Sequence, residues 1–253
     1  MLPYDRQQQI IKILEESGHI SIHRLAQIIH VSEPTLRRDL THMEKQGLIR
    51  RTYGGAVLPV ETQYIPISLR KNDEAAAKKK IAAEAAALVR KNAVVYIDCS
   101  STVQNMIDFF TENQEITVIT NSIPGCQQLM EKGIPTYCVG GLLESRDSAL
   151  RGKYAEDFLR SVQIDQAFFS CSALSEDGQL GGHHENAVSL LQVLLKQSAQ
   201  RIYLCTHTKL GRSCMHTICS LRDIDHVVCD KPLPPALQEM IDRILCLLEA
   251  VLV

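Results

Sequence analysis

No apolar run in this 253-residue chain reaches the roughly 18–20 residues that a membrane-spanning helix requires. The opening stretch MLPYDRQQQI lacks the apolar core of a secretion signal, so a soluble cytoplasmic protein, with no membrane partner, is the expectation. No Cys-x-x-Cys pair occurs, and the nine cysteines are scattered through the chain. Disulfide frameworks and zinc sites use tighter patterns, so buried free thiols are expected, as at Cys138 in TYCVGG and Cys205 in IYLCTH. Cys214 and Cys219 around His216 make a mildly metal-like group, but no metal and no cofactor is expected. Internal repeats and low-complexity tracts are absent. A strong charge of one sign is absent too, the net being −2.

What is present suits a globular protein with a real core: 45% hydrophobic and 22% charged residues, over a length that allows one large domain or two ordinary ones. The small net charge hides an asymmetry. Residues 1–58 hold eight Lys and Arg against six Asp and Glu, while the remainder holds 19 against 23. A mildly basic head on an acidic body is compatible with a polyanionic partner.

The head reads as three short helices and a ribbon. Ile10, Ile11, Ile13 and Leu14 fall at helical spacing, and Gly18 supplies a stop. Ser21 is placed to cap a second helix with Leu25, Ile28 and Ile29 on one face. After the turn HVSE, Ser32 is placed to cap a third helix, with Pro34 in its first turn and Gly47 at its end. LIRRTYGGAV follows as a β ribbon with a Gly-Gly bend, completing a winged helix-turn-helix pattern. At 100° per residue, Leu36, Leu40 and Met43 of the third helix point inward, and Arg38, Thr41 and Lys45 point away. Thr35, Arg37 and His42 flank that outer face. Short hydroxyl side chains near the N-terminus, with arginines beyond, suit a recognition helix in a major groove. Arg50 and Arg51 are expected on phosphates, where contacts position without specifying sequence. Asp39 is a poor phosphate neighbour and is expected to orient an arginine. The expected DNA-facing set is therefore Ser32, Thr35, Arg37, Arg38, Thr41, His42, Lys45, Arg50 and Arg51.

LPVETQYIPISLRK reads as a proline-punctuated extended linker, and NDEAAAKKKIAAEAAALVR as a helix with Glu74/Lys78 and Lys80/Glu84 at i,i+4 spacing. Its lysine run reads as a solvated face. Beyond it the apolar runs AVVYID, ITVIT, PTYCVGG, QAFFSCSAL, RIYLCT and HVVCD alternate with the helical patterns TVQNMIDFF, SIPGCQQLM and NAVSLLQVLLKQS. That rhythm predicts an open, largely parallel α/β sheet, with ligands beyond the C-terminal strand ends. The expected domains are 1–58, a linker 59–72, and 73–253. At the strand ends, Ser100, Ser101 and Thr102 precede a helix, where hydroxyls and N–H groups can hold a phosphate or simply cap. Asp98 would accept from sugar hydroxyls. Asn121 ends the next strand, Gly140 and Gly141 permit close backbone approach, Lys209 is a point charge for a phosphate, and Glu185 begins a helix.

The stretch SEPTLRRDLTHMEKQGLIRRTYGGAV resembles the signature of the DeoR family of bacterial transcription regulators, with Met43-Glu44 for the usual Leu-Glu. The body resembles that family's sugar-phosphate sensor domain, which is related in fold to ribose-5-phosphate isomerases and CoA transferases. The resemblance implies a regulator, mostly a repressor, of a carbohydrate operon. Its implied partners are double-stranded operator DNA, a phosphorylated sugar effector and further copies of itself as a dimer or tetramer. Asp98, Thr102, Asn121, Gly140, Gly141, Gly152 and Lys209 match positions that the family uses around its ligand or scaffold. The family's Asp-x-Gly-Thr-Thr stands here as Asp98-Cys99-Ser100-Ser101-Thr102, and its Asp three residues before the lysine is Thr206.

Two other readings compete. An aldose–ketose isomerase or acyl-transfer enzyme with a fused head would use Glu185 or Asp98 as base and Lys209 as electrophile. A metal-dependent reading would rest on His183, His184 and Glu185, but adjacent residues point apart on a helix or a strand. The head favours the regulator, and no catalytic residue is expected.

Overall fold

The computed structural model of the protein describes residues 3–45, 48–57, 67–70 and 73–241. They divide into two compact units between residues 70 and 71, inside the expected linker 59–72. Gly47 and most of the proline-punctuated stretch lie outside the described residues. Ile67–Arg70 forms a short helix (α4) where extended chain was expected.

The first unit contains α1 (Pro3–Ser17), β1 (His19–Ser21), α2 (Ile22–Ile29), α3 (Glu33–Lys45), β2 (Arg50–Thr52) and β3 (Gly55–Val57). Gly18, at φ +68°, stops α1 as its N–H donates to the Leu14 carbonyl at 2.8 Å. Ser21 caps α2 by accepting the Arg24 N–H at 3.3 Å, and Ser32 caps α3 by accepting the Thr35 N–H at 3.4 Å. Ile10, Leu14, Leu25, Ile29, Leu36, Leu40 and Met43 interlock in one core, each buried. Ile28, expected on the inner face of α2, is instead half exposed. The antiparallel ribbon β2–β3 acquires a third strand, because β1 pairs with β3.

The second unit is built on a six-stranded sheet of β4 (Val94–Ile97), β5 (Thr117–Thr120), β6 (Thr136–Cys138), β9 (Ile164–Phe169), β12 (Ser198–Cys205) and β14 (His226–Cys229). Its order is β14-β12-β9-β4-β5-β6, and every neighbouring pair is parallel. These are the six apolar runs read from the sequence. Alternation sends successive side chains to opposite faces. Val95, Ile97, Phe168, Ile202 and Leu204 pack under α5 (Ala75–Ala87), the 3₁₀ segment Val103–Phe109 and α6 (Ile123–Glu131). Tyr96, Phe169 and Tyr203 pack on the other face, with α7 (Lys153–Arg160) and α8 (Glu185–Gln197). Both faces being covered explains why the strands read as continuous apolar runs.

Four features of this unit depart from expectation, the first being Cys138, which is exposed at the end of β6 rather than buried. TVQNMIDFF is a 3₁₀ segment rather than an α-helix. Lys78 is buried, its ammonium donating to the Asp73 carbonyl at 2.6 Å, although Lys80 and Glu84 do approach to 4.0 Å. Two small antiparallel additions were not anticipated. One is the hairpin of β7 (Leu142–Glu144) and β8 (Ala149–Arg151), and the other a sheet of β10 (Ala173–Leu174), β11 (Gln179–Gly182) and β13 (His216–Ser220).

Candidate functional site

On α3 the division of faces is sharp. Leu36, Leu40 and Met43 are fully buried, whereas Ser32, Thr35, Arg37, Arg38, His42 and Lys45 are exposed and Thr41 is half-buried. Ser32 and Thr35 share a hydrogen bond between hydroxyls at 2.8 Å at the helix N-terminus. Arg37 reaches back to Glu33 at 3.3 Å, and His23 approaches the other Glu33 oxygen at 3.1 Å, which holds that carboxyl below its usual range. Arg38 makes no ion pair with a described residue, which leaves its guanidinium fork available. Asp39 is buried and takes a two-pronged bond from Arg6 of α1, at 2.5 and 3.1 Å. It orients an arginine, though one in the core-side helix rather than on the outer face.

Arg50 and Arg51 are both exposed on β2. Arg51 donates to the Thr41 hydroxyl at 3.0 Å, and its backbone N–H donates to Glu44 at 2.9 Å, so the ribbon is tied to α3. Sequence reasoning passed over Tyr53, fully exposed at the ribbon tip beside Gly54, whose φ of +87° makes the turn. An aromatic next to a Gly-Gly bend was the available signal.

In the second unit, the strand order turns back between β4 and β9: the chain runs outward through β5 and β6, then returns to lay β9, β12 and β14 on the other side. Open α/β sheets bind ligands at such a switch point. Asp98 lies just beyond β4 there. One of its oxygens accepts the Ser100 N–H at 2.9 Å and hydroxyl at 2.6 Å, and the other accepts the Ser170 N–H at 2.9 Å. Burial pushes the Asp98 carboxyl up, opposed by these hydrogen bonds and by nearby Lys209. Lys209, in the 3₁₀ turn His207–Lys209, donates to the Ser170 hydroxyl at 2.7 Å, and that hydroxyl donates to the Leu204 carbonyl at 2.6 Å. Ser170 thus joins Asp98 to Lys209, and no sequence motif announced it.

Ser101, Thr102 and Asn121 are buried beside this chain. Gln104 donates to the Asp98 carbonyl at 2.6 Å and accepts from Ser122 at 3.1 Å, tying the end of β4 to that of β5. The β7–β8 hairpin covers the β5 end, with the Leu150 N–H on the Asn121 carbonyl at 2.8 Å and the Asn121 amide near the Leu150 carbonyl at 3.4 Å. Its Arg151 is buried, paired with Glu144 and Asp147 and 3.4 Å from the Cys99 sulfur. Among the groups that ring these strand ends, two polar atoms, Thr102 Oγ1 and Asn121 Oδ1, are buried with no hydrogen-bond partner among the described residues. Gly141, at φ +121°, lies so close to the Arg151 carbonyl that a Cβ would stand 2.3 Å from it. Gly140, and Gly152 at φ +88°, face open space. Glu185 is exposed at the start of α8 and forms no hydrogen bond with the cluster among the described residues. His183, His184 and Glu185 do not converge as a ligand set, nor do Cys214, His216 and Cys219.

A three-helix head presenting an exposed arginine-bearing helix, followed by a ligand-type α/β body, defines a helix-turn-helix transcriptional regulator with a sensor domain. Family comparison agrees for both parts: residues 6–62 match the DeoR-like helix-turn-helix domain and residues 73–231 the DeoR C terminal sensor domain. The chain belongs to the DeoR family. It is 33% identical to the HTH-type transcriptional repressor GlcR of Bacillus subtilis, over 96% of this chain and 94% of that one. It is 30% identical to the L-fucose operon activator of Haemophilus influenzae, over 94% of this chain and 96% of that one. A ribose 5-phosphate isomerase from Methanocaldococcus jannaschii overlaps 53% of each chain at 19% identity and a TM-score of 0.39, too loose to bear on function. No helix among the described residues is long and apolar enough to cross a membrane.

Proposed function

We propose that this regulator is a repressor of a carbohydrate operon, bound to its operator through α3 and the ribbon and released by a phosphorylated sugar at the β4/β9 switch point. Thr102 Oγ1 and Asn121 Oδ1 carry the sensing half of this reading. Orphaned buried polar atoms are costly, and a polyhydroxylated ligand in the ring would satisfy them. Lys209 supplies the point charge for a phosphate, exchanging its bond to Ser170 for one to the ligand. The glycines at 140 and 152 leave room for close backbone approach, while Gly141 packs against the Arg151 carbonyl. Ser100 is turned toward Asp98, so its hydroxyl reaches a ligand only if Asp98 releases it.

The geometry does not favour the enzyme reading. Both Asp98 oxygens are engaged by Ser100 and Ser170, and Glu185 forms no hydrogen bond with the cluster among the described residues, so the two expected bases are a hydrogen-bonded buried carboxylate and an exposed one outside the cluster. The test is a thermal-shift screen of the pure protein against a phosphosugar panel, followed by operator binding with each hit. Stabilisation together with loss of operator affinity is expected, with no turnover of ribose 5-phosphate. Tighter operator binding with the ligand would reverse the sign of control, and measurable isomerisation would restore the enzyme.

A further inference from the structure

Away from the ring of Asp98 and Asn121, three residues distant in sequence meet at one point. Glu74 precedes α5, His207 opens the turn after β12, and Asp230 follows β14. One ligand-type atom from each lies within 4.8 Å of the other two, and no other such group of three occurs among the described residues. Asp230 is held in place: one carboxylate oxygen accepts the His207 backbone N–H at 2.7 Å, and the other faces the ring Nδ1 at 2.7 Å. Glu74 is the unexplained member. It sits in the left-handed region at φ +52°, its side chain makes no capping bond, and it forms no ion pair among the described residues. Its carboxylate has an oxygen within 4.8 Å of one of Asp230, an arrangement of like charges that a divalent cation would neutralise.

We propose that Glu74, His207 and Asp230 bind one first-row divalent transition-metal ion, with zinc as the representative. The donor set is one imidazole and two carboxylates, which suits zinc or a neighbouring transition metal better than magnesium, an ion that favours all-oxygen octahedra. Three protein ligands leave a coordination position open to water. The sequence-based expectation of no metal missed this group because its members share no local motif. His207 and Lys209 belong to one 3₁₀ turn, so the ion would brace the segment that aims Lys209. The binding test below does not depend on the sugar-phosphate reading.

The full chain, stripped with a chelator and dialysed at pH 7.5, is titrated calorimetrically with zinc chloride and, separately, with magnesium chloride. One zinc per chain and no comparable magnesium binding is expected. Glu74→Gln, which removes no side-chain hydrogen bond among the described residues, should weaken zinc by at least about tenfold while leaving the chelated protein's melting temperature unchanged. Asp230→Asn should do the same to zinc binding, and cobalt should give a visible absorption band that both variants lose. The proposal is overturned if zinc does not bind, or if it binds both variants as it binds the wild type. The second result, with binding abolished by cysteine alkylation, would place the ion on thiols instead.

Discussion

Arg38 on α3 and Arg51 on β2 are both exposed but differ in what already holds them. Arg51 is committed to Thr41 and Glu44, whereas Arg38 has no ion-pair partner among the described residues. Arg38→Ala should therefore cost about 1–3 kcal/mol on operator DNA and relax selectivity at one base pair. Arg51→Ala should weaken every duplex alike and reduce the salt slope by about one phosphate contact. Fluorescence anisotropy across a salt series separates the two, and equal operator affinity for wild type and Arg38→Ala would remove Arg38 from the reading set. Among the thiols, Cys229 is lowered to about 7 by its contact with Cys205, its in-register neighbour on β12, whose own thiol is driven up. Iodoacetamide should thus modify Cys229 with a midpoint near that value while buried Cys205 stays unlabelled, as peptide mapping would show. The hydrophobic stripe and the arginines of α3 could be read in advance because helical period alone assigns their faces. Ser170, Gln104 and Arg151 could not, since each acts through a partner supplied by another strand.

At the scale of elements, what was legible depended on unbroken apolar character. The six sheet strands stood out as apolar runs bounded by helices, because burial on both faces leaves little room for polar residues. Most strands of the β7–β8 hairpin and the β10-β11-β13 sheet are as long as the shorter of those, but polar residues and glycines surround them, as in ESRDSALR and EDGQLGGHH, so no separate apolar run marks them. TVQNMIDFF carries an amphipathic pattern, yet it closes into the tighter 3₁₀ form where Gln104 is fastened to the Asp98 and Ser122 groups. Contacts between helices offer a pH test. Glu156 of α7 is held below its ordinary 4.5 by the Ser189 hydroxyl of α8 at 2.6 Å and by Arg160. A depressed carboxylate contributes stability that is complete above the unfolded value of 4.5 and is lost as pH falls through the lowered folded value. The melting-temperature gap between wild type and Glu156→Gln should shrink on acidification from pH near 5 to near 3. A gap independent of pH would mean the bond acts through shape alone. In the head, Asp39→Ala would remove the two-pronged bond from Arg6 at the α1–α3 contact, and a loss of about 1–3 kcal/mol is expected by denaturant unfolding.

For the molecule as a whole, one three-helix head covers too little DNA for tight and selective binding, so at least two copies should engage half-sites separated by whole helical turns. Analytical ultracentrifugation at micromolar concentration, with and without operator, checks this, and a strict monomer in both conditions would refute it. An effector alters operator affinity only by preferring one arrangement of the assembly, and the coupling is reciprocal. Such couplings are worth about 1–3 kcal/mol, so operator affinity should fall roughly 5–150-fold with ligand. Lys209→Ala should keep operator binding and lose this response. If the variant still responds to the same effector concentration, the phosphate lies elsewhere.

The reversal of strand order between β4 and β9 also has a consequence on the ribosome. β4 finds its partner on one side as soon as β5 has been made, but its other edge waits for β9, whose first residue, Ile164, comes long after Ile97. At translation speeds of about 5–20 residues per second, the backbone of Val95–Ile97 stays open along that edge for several seconds. Newly made chains on neighbouring ribosomes could pair there. The ring where the effector is proposed to bind cannot form before β9 docks and brings Ser170 to Asp98, so the seam left open in synthesis is the one where the ligand acts.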